Sequence, residues 1–260
     1  MRPLILITND DGISSPGLAA AAEAVADMAD ILIAAPHTQQ TGMGRAFPRS
    51  RDTGMIEEKE LSIGGRTVLG YAVHGSPALA VSHGVLELAE RRPDLCISGI
   101  NYGENMGAVL TCSGTLGAAF EAVSHGIPSI AVSLEIDFTV HRVNDFPETD
   151  WRTAAAMLRR WTKRVLDDGM PGQADILNIN VPAFTPCPEE CRITTQSRQN
   201  YFEFVKPSKR DLHRPFMMES RLYVDKKTLE KDSDIYAVHV DQVTSVTPLS
   251  TVMSVKIQEH

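Results

Sequence analysis

The chain has 260 residues, of which 43% are hydrophobic and 22% are charged, and this composition excludes collagen-like, low-complexity and wholly disordered proteins. A net charge of −8 at pH 7 opposes binding to a phosphate backbone, so we expect no stable nucleic-acid partner. The sequence has no apolar run near the roughly 20 residues of a membrane-spanning helix and no signal-peptide pattern at its start, so we expect a cytoplasmic protein without a membrane partner.

The first 185 residues alternate short apolar runs with helical stretches. The apolar runs predict strands at 4–8, 31–35, 67–73, 95–98, 129–134 and 176–181. Helical spacing of apolar residues predicts helices at 17–29, 77–90, 114–124 and 151–168. The polar stretch from 37 to about 65 is predicted to be one long connection. Strands that alternate with helices indicate an α/β protein with a doubly wound, mostly parallel sheet.

The character of the sequence changes after Pro182, where prolines become frequent and helical periodicity disappears. Alternating apolar residues predict strands at 192–195, 221–224, 236–240 and 252–257. We therefore divide the chain into a core at 1–185 and a smaller strand-rich extension at 186–260. Isolated hairpins are only marginally stable in water, so we expect the extension to pack on the core or on another subunit.

Several familiar catalytic and binding motifs are missing from the sequence. No P-loop, no glycine-rich dinucleotide fingerprint after the first strand and no nucleophile elbow is present. A phosphatase that forms an aspartyl phosphate would need Asp-x-Asp after its first strand, but residues 9–11 read Asn-Asp-Asp, and an amide cannot serve as the first nucleophile. Cys187 and Cys191 make at most half of a zinc site, so we expect no zinc there.

Two neighbouring carboxylates, Asp10 and Asp11, follow the first predicted strand. Burial and mutual repulsion would raise the pKa of at least one of them. A hard divalent cation removes both costs, and Thr41 and Asn101 offer further oxygen ligands from neighbouring loops. A turn with helix-capping chemistry before Gly12 explains the same residues equally well. From the local sequence, both interpretations stay open.

Residues Ser113, Gly114 and Thr115 stand at the start of a predicted helix, after a glycine-rich loop. Free N–H groups and the positive end of the helix dipole make such a start a suitable site for an anion such as phosphate. An ordinary helix N-cap would use the same residues without any ligand, so this choice also stays open. His37 lies near the predicted site, where it is either a surface histidine or a proton shuttle.

Beyond these local patterns, the chain resembles the SurE family of survival proteins, which are metal-dependent nucleotidases. Residues 7–12 read Ile-Thr-Asn-Asp-Asp-Gly, residues 98–101 read Ser-Gly-Ile-Asn, and residues 113–115 read Ser-Gly-Thr. Further matching strings occur at 126–133, 177–182 and 245–249. The resemblance spans almost the whole chain, and the order of its motifs is specific.

The resemblance implies a Rossmann-like core whose C-terminal extension exchanges elements between the subunits of a homodimer or homotetramer. It implies hydrolysis of nucleoside monophosphates by a 5'-nucleotidase, with 3'-nucleotide and polyphosphate hydrolysis in some members. One Mg or Mn ion per subunit would be held by Asp10, Asp11, Thr41 and Asn101. The two aspartates would be catalytic, and one of them could also act as a covalent nucleophile in place of a direct attack by water. The expected contacts to substrate and phosphate are Asn9, Arg45, Asn105, Ser113, Gly114 and Thr115.

The chain also departs from the family pattern. The family typically has Ser where this chain has Thr41, and Asp-Arg where it has His37 and Thr38. Arg45 replaces a family Asn, and Cys112 replaces the Tyr before Ser-Gly-Thr. These departures leave an alternative function open, in which the protein is a non-catalytic sensor that binds nucleotide or phosphate on the same fold.

Overall fold

The computed structural model describes residues 2–136 and 146–255. Its strands are β1 (Leu4–Thr8), β2 (Asp30–Pro36), β3 (Ile56–Ile63), β4 (Arg66–Val73), β5 (Leu95–Tyr102), β6 (Ser129–Leu134), β7 (Ile176–Val181), β8 (Cys191–Ile193), β9 (Phe202–Phe204), β10 (Ser220–Leu222) and β11 (Thr244–Leu249). Its α-helices are α1 (Pro16–Val25), α2 (Pro77–His83), α3 (Gly114–Ser124) and α4 (Arg152–Asp168). Short π-helical turns lie at Gly84–Leu88 and Tyr236–Val240, and a 3₁₀ turn lies at Gly107–Cys112.

Across the described residues, nine of the strands form one sheet in the order β3-β4-β2-β1-β5-β6-β7-β11-β8. The strands from β4 to β7 in that order are parallel to one another, whereas β3 and β11 run antiparallel to their neighbours β4 and β7. Helix α1 contacts α4, and α2 contacts α3. The predicted fold class, a Rossmann-like, doubly wound and mostly parallel sheet, is therefore confirmed.

Alternating side chains of the central strands build a core on each face of the sheet. Ile5 and Ile7 of β1 pack in the cluster that contains α1 and α4, whereas Leu6 packs in the cluster that contains α2 and α3. In α4 the buried residues recur at helical spacing, as at Leu158, Trp161 and Val165. That spacing places one apolar stripe of the helix against the sheet.

Two predictions for strands and connections are wrong, and a third is wrong over its described part. The stretch from 37 to 65 contains the edge strand β3. An edge strand pairs with the sheet on one side only and tolerates charged residues, so the sequence of β3 lacks the apolar pattern that predicts a strand. The predicted strand at 236–240 is a π-helical turn, and the Ser233 hydroxyl accepts the N–H of Tyr236 at its start. Residues 252–255 form no strand, and 256–257 lie outside the described residues.

The C-terminal region contributes to two sheets. Strands β9 and β10 form an antiparallel pair of their own, whereas β8 and β11 extend the large sheet beyond β7. The division of the chain near residue 185 stays a prediction. No helix in the described parts of the chain combines the length and the apolar character needed to cross a membrane.

Candidate functional site

The strand order reverses direction between β1 and β5, because the chain adds β2 on one side of β1 and β5 on the other. Ligands of open parallel sheets bind in the crevice at the carboxyl ends of such strands. A cavity of about 210 Å³ opens at this point, and its lining includes Asp10, Thr41, Asn101, Asn105 and Ser113. The structure thus brings together side chains that are far apart in the sequence.

The Asp10 carboxylate is held at the N-terminus of α3. Its Oδ1 accepts a hydrogen bond of 2.7 Å from the Thr115 hydroxyl, and its backbone oxygen accepts one of 2.6 Å from the N–H of Gln40. A Cβ at Gly114 would lie 2.7 Å from both Cβ and Oδ2 of Asp10, so glycine is needed for this close approach. The helix dipole stabilises a negative charge in this position.

Asp11 lies beside Asp10, and both residues are only 4% exposed. The Oδ2 atom of Asp11 accepts the backbone N–H of Tyr102 at 3.2 Å. Burial raises the pKa of Asp10 against the opposing hydrogen bond from Thr115. Burial and the charge of Asp10 raise the pKa of Asp11 above that of Asp10. Two buried neighbouring carboxylates are difficult to ionise together without a positive charge, so this pair fits a divalent cation.

Asn101 and Thr41 supply neutral oxygens near these carboxylates. Asn101 is nearly buried and donates through Nδ2 to the carbonyl of Gly103 at 2.6 Å. Its Oδ1 is a neutral amide oxygen, an atom type that serves as a ligand for hard cations. Thr41 follows directly after Gln40, whose N–H is bound to Asp10, so this contact fixes the start of the Thr41 loop. Carboxylate, hydroxyl and amide oxygens are the ligands that Mg²⁺ and Mn²⁺ prefer.

The residues predicted to bind phosphate at the start of α3 have structural partners. Ser113 is the N-cap of the helix, and its Oγ accepts the N–H of Leu116 at 3.1 Å. The Thr115 hydroxyl is donated to Asp10, so its first role is to hold the carboxylate. Phosphate binding by Ser113, Gly114 and Thr115 stays a prediction, and the cavity reaches Ser113.

Asn105 is anchored by a network that the sequence analysis missed. Its side-chain Nδ2 donates to Ser133 Oγ at 2.9 Å and lies 3.4 Å from Thr115 Oγ1. Its backbone N–H donates to Asn180 Oδ1 at 2.7 Å, and its backbone oxygen accepts from Asn178 and Asn180 at 2.8 and 3.1 Å. The available signal was two asparagines two positions apart in a fully buried strand, where an unpaired amide is costly.

Two of the expected phosphate contacts point elsewhere. The Asn9 amide is fully buried and exchanges two hydrogen bonds of 3.1 Å with the backbone of Gly12. The Arg45 guanidinium donates to Glu121 at 2.8 Å and lines a separate cavity with Phe120. The substrate roles of Asn9 and Arg45 stay predictions that these positions do not support.

The cavity has an apolar side and a buried acid, which sequence reasoning also missed. Val109, Phe202 and Phe204 line it, the last two from β9. Glu104 lines it as well, and burial raises the pKa of its carboxyl to about 7. Nothing in the local sequence distinguishes these aromatic residues from those of an ordinary hairpin.

Comparisons with known proteins identify one family to which this chain is similar. The family model described as Survival protein SurE matches residues 5–203. A 5'-nucleotidase SurE of Methanothermobacter thermautotrophicus is 42% identical over 82% of this chain and 80% of its own length. A 5'-nucleotidase SurE of Thermococcus gammatolerans is 36% identical over 97% of this chain and 92% of its own length. The crystal structure of the SurE protein from Aquifex aeolicus has a TM-score of 0.73 and 27% identity, covering 97% of this chain and 95% of that one.

Proposed function

The chain belongs to the SurE family, and from this premise we infer that it is a 5'-nucleotidase, a phosphatase that releases phosphate from nucleoside monophosphates. The observation that carries this conclusion is the pair of buried carboxylates, Asp10 and Asp11, at the carboxyl end of β1. A pair of this kind is costly in a protein that only needs a turn, and it is useful to an enzyme that binds a cation and a phosphate ester.

The donor set supports one divalent cation per subunit, Mg or Mn, held by Asp10, Asp11, Thr41 and Asn101. Such an ion, when bound, supplies Lewis-acid polarisation of the phosphoryl oxygens and a water of lowered pKa. Thr115 orients the Asp10 carboxylate through its hydroxyl, and Tyr102 orients that of Asp11 through its N–H.

The start of α3 supports the binding of the phosphoryl group. The helix presents free N–H groups and the positive end of its dipole to the cavity, beside Ser113. These groups would stabilise the negative charge that develops on the phosphoryl oxygens in the transition state. Asn105, held in place from β7 by two asparagines, lines the same cavity and is our further candidate for a contact with the substrate.

The apolar side of the cavity supports a nucleoside as the remainder of the substrate. Val109, Phe202 and Phe204 offer a surface on which a flat base can stack. The buried Glu104 offers a hydrogen-bonding group at the same wall. Hydrolysis of 3'-nucleotides and of polyphosphate at the same cavity are further activities that we propose to measure.

The sensor alternative has no observation in its favour. Its motive was the set of departures from the family pattern, but Arg45 pairs with Glu121 outside the cavity. His37 and Thr38 are likewise absent from the residues that line the cavity within the described chain. The cation ligands that the departures could have removed are all oxygen donors in this chain.

A homodimer or homotetramer remains part of the proposal, together with a cytoplasmic location. Its support is a group of exposed apolar side chains in the C-terminal region, including Leu212, Met217, Val252 and Met253. Large exposed apolar residues that cluster on one region are typical of subunit interfaces. Light scattering after size-exclusion chromatography measures the mass of the assembly, and a monomer would contradict this part of the proposal.

The decisive experiment is phosphate release from a panel of nucleoside monophosphates by metal-depleted protein with added Mg²⁺ or Mn²⁺. We expect release with the metals, none with EDTA, and loss of turnover in a folded Asp10→Asn variant. Nucleotide binding without hydrolysis under every divalent ion would overturn the enzyme and favour the sensor. Hydroxylamine trapping during turnover separates the two chemical routes, because it captures an aspartyl phosphate, whereas direct attack by water leaves no acyl phosphate to trap.

A further inference from the structure

We propose that His37, Glu57 and His74 form a second cation site, which binds zinc or a similar transition metal and is separate from the cavity at Asp10. The three residues come from the ends of neighbouring strands. His37 follows β2, Glu57 lies near the start of β3, and His74 follows β4. None of them lines the cavity among the described residues, and His37 replaces the Asp that the family typically has, so the site is a feature of this chain.

The distances between the donor atoms fit a tetrahedral transition metal. Glu57 Oε1 lies 2.9 Å from His74 Nε2 and 3.5 Å from His37 Nε2. All three residues offer a donor atom within 4.8 Å of the others. Metal–ligand bonds of about 2.0–2.1 Å at tetrahedral angles place ligand atoms about 3.3 Å apart. The two observed distances lie on either side of that value.

Two other charged groups contact the donor residues and constrain their orientation. Asp52 Oδ2 lies 3.1 Å from His74 Nδ1, which directs Nε2 of that ring to Glu57. Lys59 Nζ lies 2.8 Å from Glu57 Oε2, which leaves Oε1 for the imidazoles. A carboxylate behind a metal-binding histidine is the usual second layer of a zinc site, because it sets the tautomer and raises the basicity of the ligand nitrogen.

The arrangement requires a positive charge between His74 and Glu57. Carboxylate oxygens face both nitrogens of the His74 ring, so a neutral ring would turn one lone pair toward an oxygen. Either a proton or a metal ion on Nε2 removes that repulsion. The second imidazole distinguishes these cases, since His37 stacks on His74 with ring centroids 4.3 Å apart and directs its own Nε2 to the same oxygen. A single proton needs no second nitrogen, whereas a metal ion uses it as a ligand.

The site is accessible enough to exchange its ion. The side chains of His37, Glu57 and His74 are 34%, 38% and 18% exposed, which leaves room for a water as fourth ligand. Backbone hydrogen bonds already connect this rim, from His37 to Val73 and from Gly54 to His74. A bound ion would therefore fasten the ends of three strands and the beginning of the segment that leads to Thr41.

The test is a Zn²⁺ and Co²⁺ titration of metal-depleted protein that carries Asp10→Asn and Asp11→Asn. This background removes the candidate catalytic site, so its result is independent of the proposed nucleotidase. We expect one equivalent of Zn²⁺ by calorimetry, tetrahedral Co²⁺ absorption bands, and a higher Tm with the ion. His37→Gln or His74→Gln should weaken binding at least tenfold, and Asp52→Asn about 10- to 100-fold as a positioning residue.

His83→Gln is the matched control, because His83 forms a lone imidazole–carboxylate pair of 2.7 Å with Glu87. It should leave Zn²⁺ binding unchanged. Circular dichroism verifies that each variant is folded, and electron paramagnetic resonance of Cu²⁺ in the background protein should show two nitrogen ligands. Absence of Zn²⁺ binding in the background protein, or Zn²⁺ binding in the His37→Gln and His74→Gln variants that is unchanged from the background protein, would overturn the site and identify the cluster as a proton-mediated ion pair.

Discussion

Gly114 offers the sharpest test of how the fold holds Asp10, the candidate catalytic carboxylate. An alanine at this position would place its Cβ 2.7 Å from Cβ and Oδ2 of Asp10. Ordinary contacts between carbon atoms are about 3.5–4.0 Å, so Asp10 or the start of α3 must move by about 0.8 Å or more. A displacement of about 1 Å in a catalytic group costs about 100-fold in rate. We therefore expect kcat/KM for a nucleoside monophosphate to fall about 100-fold in Gly114→Ala, or about 2.7 kcal/mol.

The substitution should also reduce stability, since overpacking a well-packed site costs about 1–3 kcal/mol. Gly84→Ala is the matched control, because its Cβ would meet the side chain of Leu6 at 3.0 Å, in the core behind the site. It should show a stability loss of similar kind with unchanged kcat/KM. The assay is phosphate release with saturating Mn²⁺, accompanied by thermal unfolding. Wild-type kcat/KM in a folded Gly114→Ala protein would refute the argument that Asp10 must sit against this helix.

Three further predictions concern the surroundings of the site. Asn180→Leu unpairs the backbone N–H of Asn105 and removes one of the two hydrogen bonds to its backbone oxygen, so we expect it to lose about 1–3 kcal/mol in unfolding free energy together with most of its turnover. Glu104→Gln should change the pH dependence of unfolding, because burial raises the pKa of this carboxyl from 4.5 to about 7 in the native state. Between these pH values the native protein holds the proton that the unfolded chain releases, so wild-type stability falls by up to about 3 kcal/mol as pH rises through this window, and the variant lacks that fall. Arg45→Ala removes the partner of Glu121 outside the cavity, so KM should change less than about twofold while thermal stability decreases.

Each of these predictions has its own check. Asn178→Leu removes a single bond to Asn105, so it should be milder than Asn180→Leu, and equal effects would contradict the proposed anchor. Chemical denaturation at a series of pH values measures the Glu104 effect, and parallel curves for the two proteins would show that its carboxyl is not protonated in the native state. A large rise in KM for Arg45→Ala would instead support the contact between Arg45 and phosphate that the family resemblance implies.

Local chemistry explains what the sequence determined alone. Three features depend on residues within a few positions of one another: the buried strand β1, the acidic pair after it and the N-cap of α3. Their patterns can therefore be recognised in the sequence alone. The alternation of strands and helices likewise predicts the parallel sheet, and the rule for carboxyl ends then predicts that Asp10 and Asn101 converge. Membership of a specific family follows from the order of short motifs at these same places.

Only the tertiary structure decided which distant groups meet. Thr115 reaches Asp10 across 105 residues, and Asn180 reaches Asn105 across 75, because the strand order of the sheet brings the segments that carry these residues to one edge. The same packing turns Arg45 toward Glu121 and stacks His37 on His74. Side-chain direction depends on which surface a loop covers, and that surface is created by elements elsewhere in the chain. Contacts of this kind therefore leave no periodic or local pattern in the sequence.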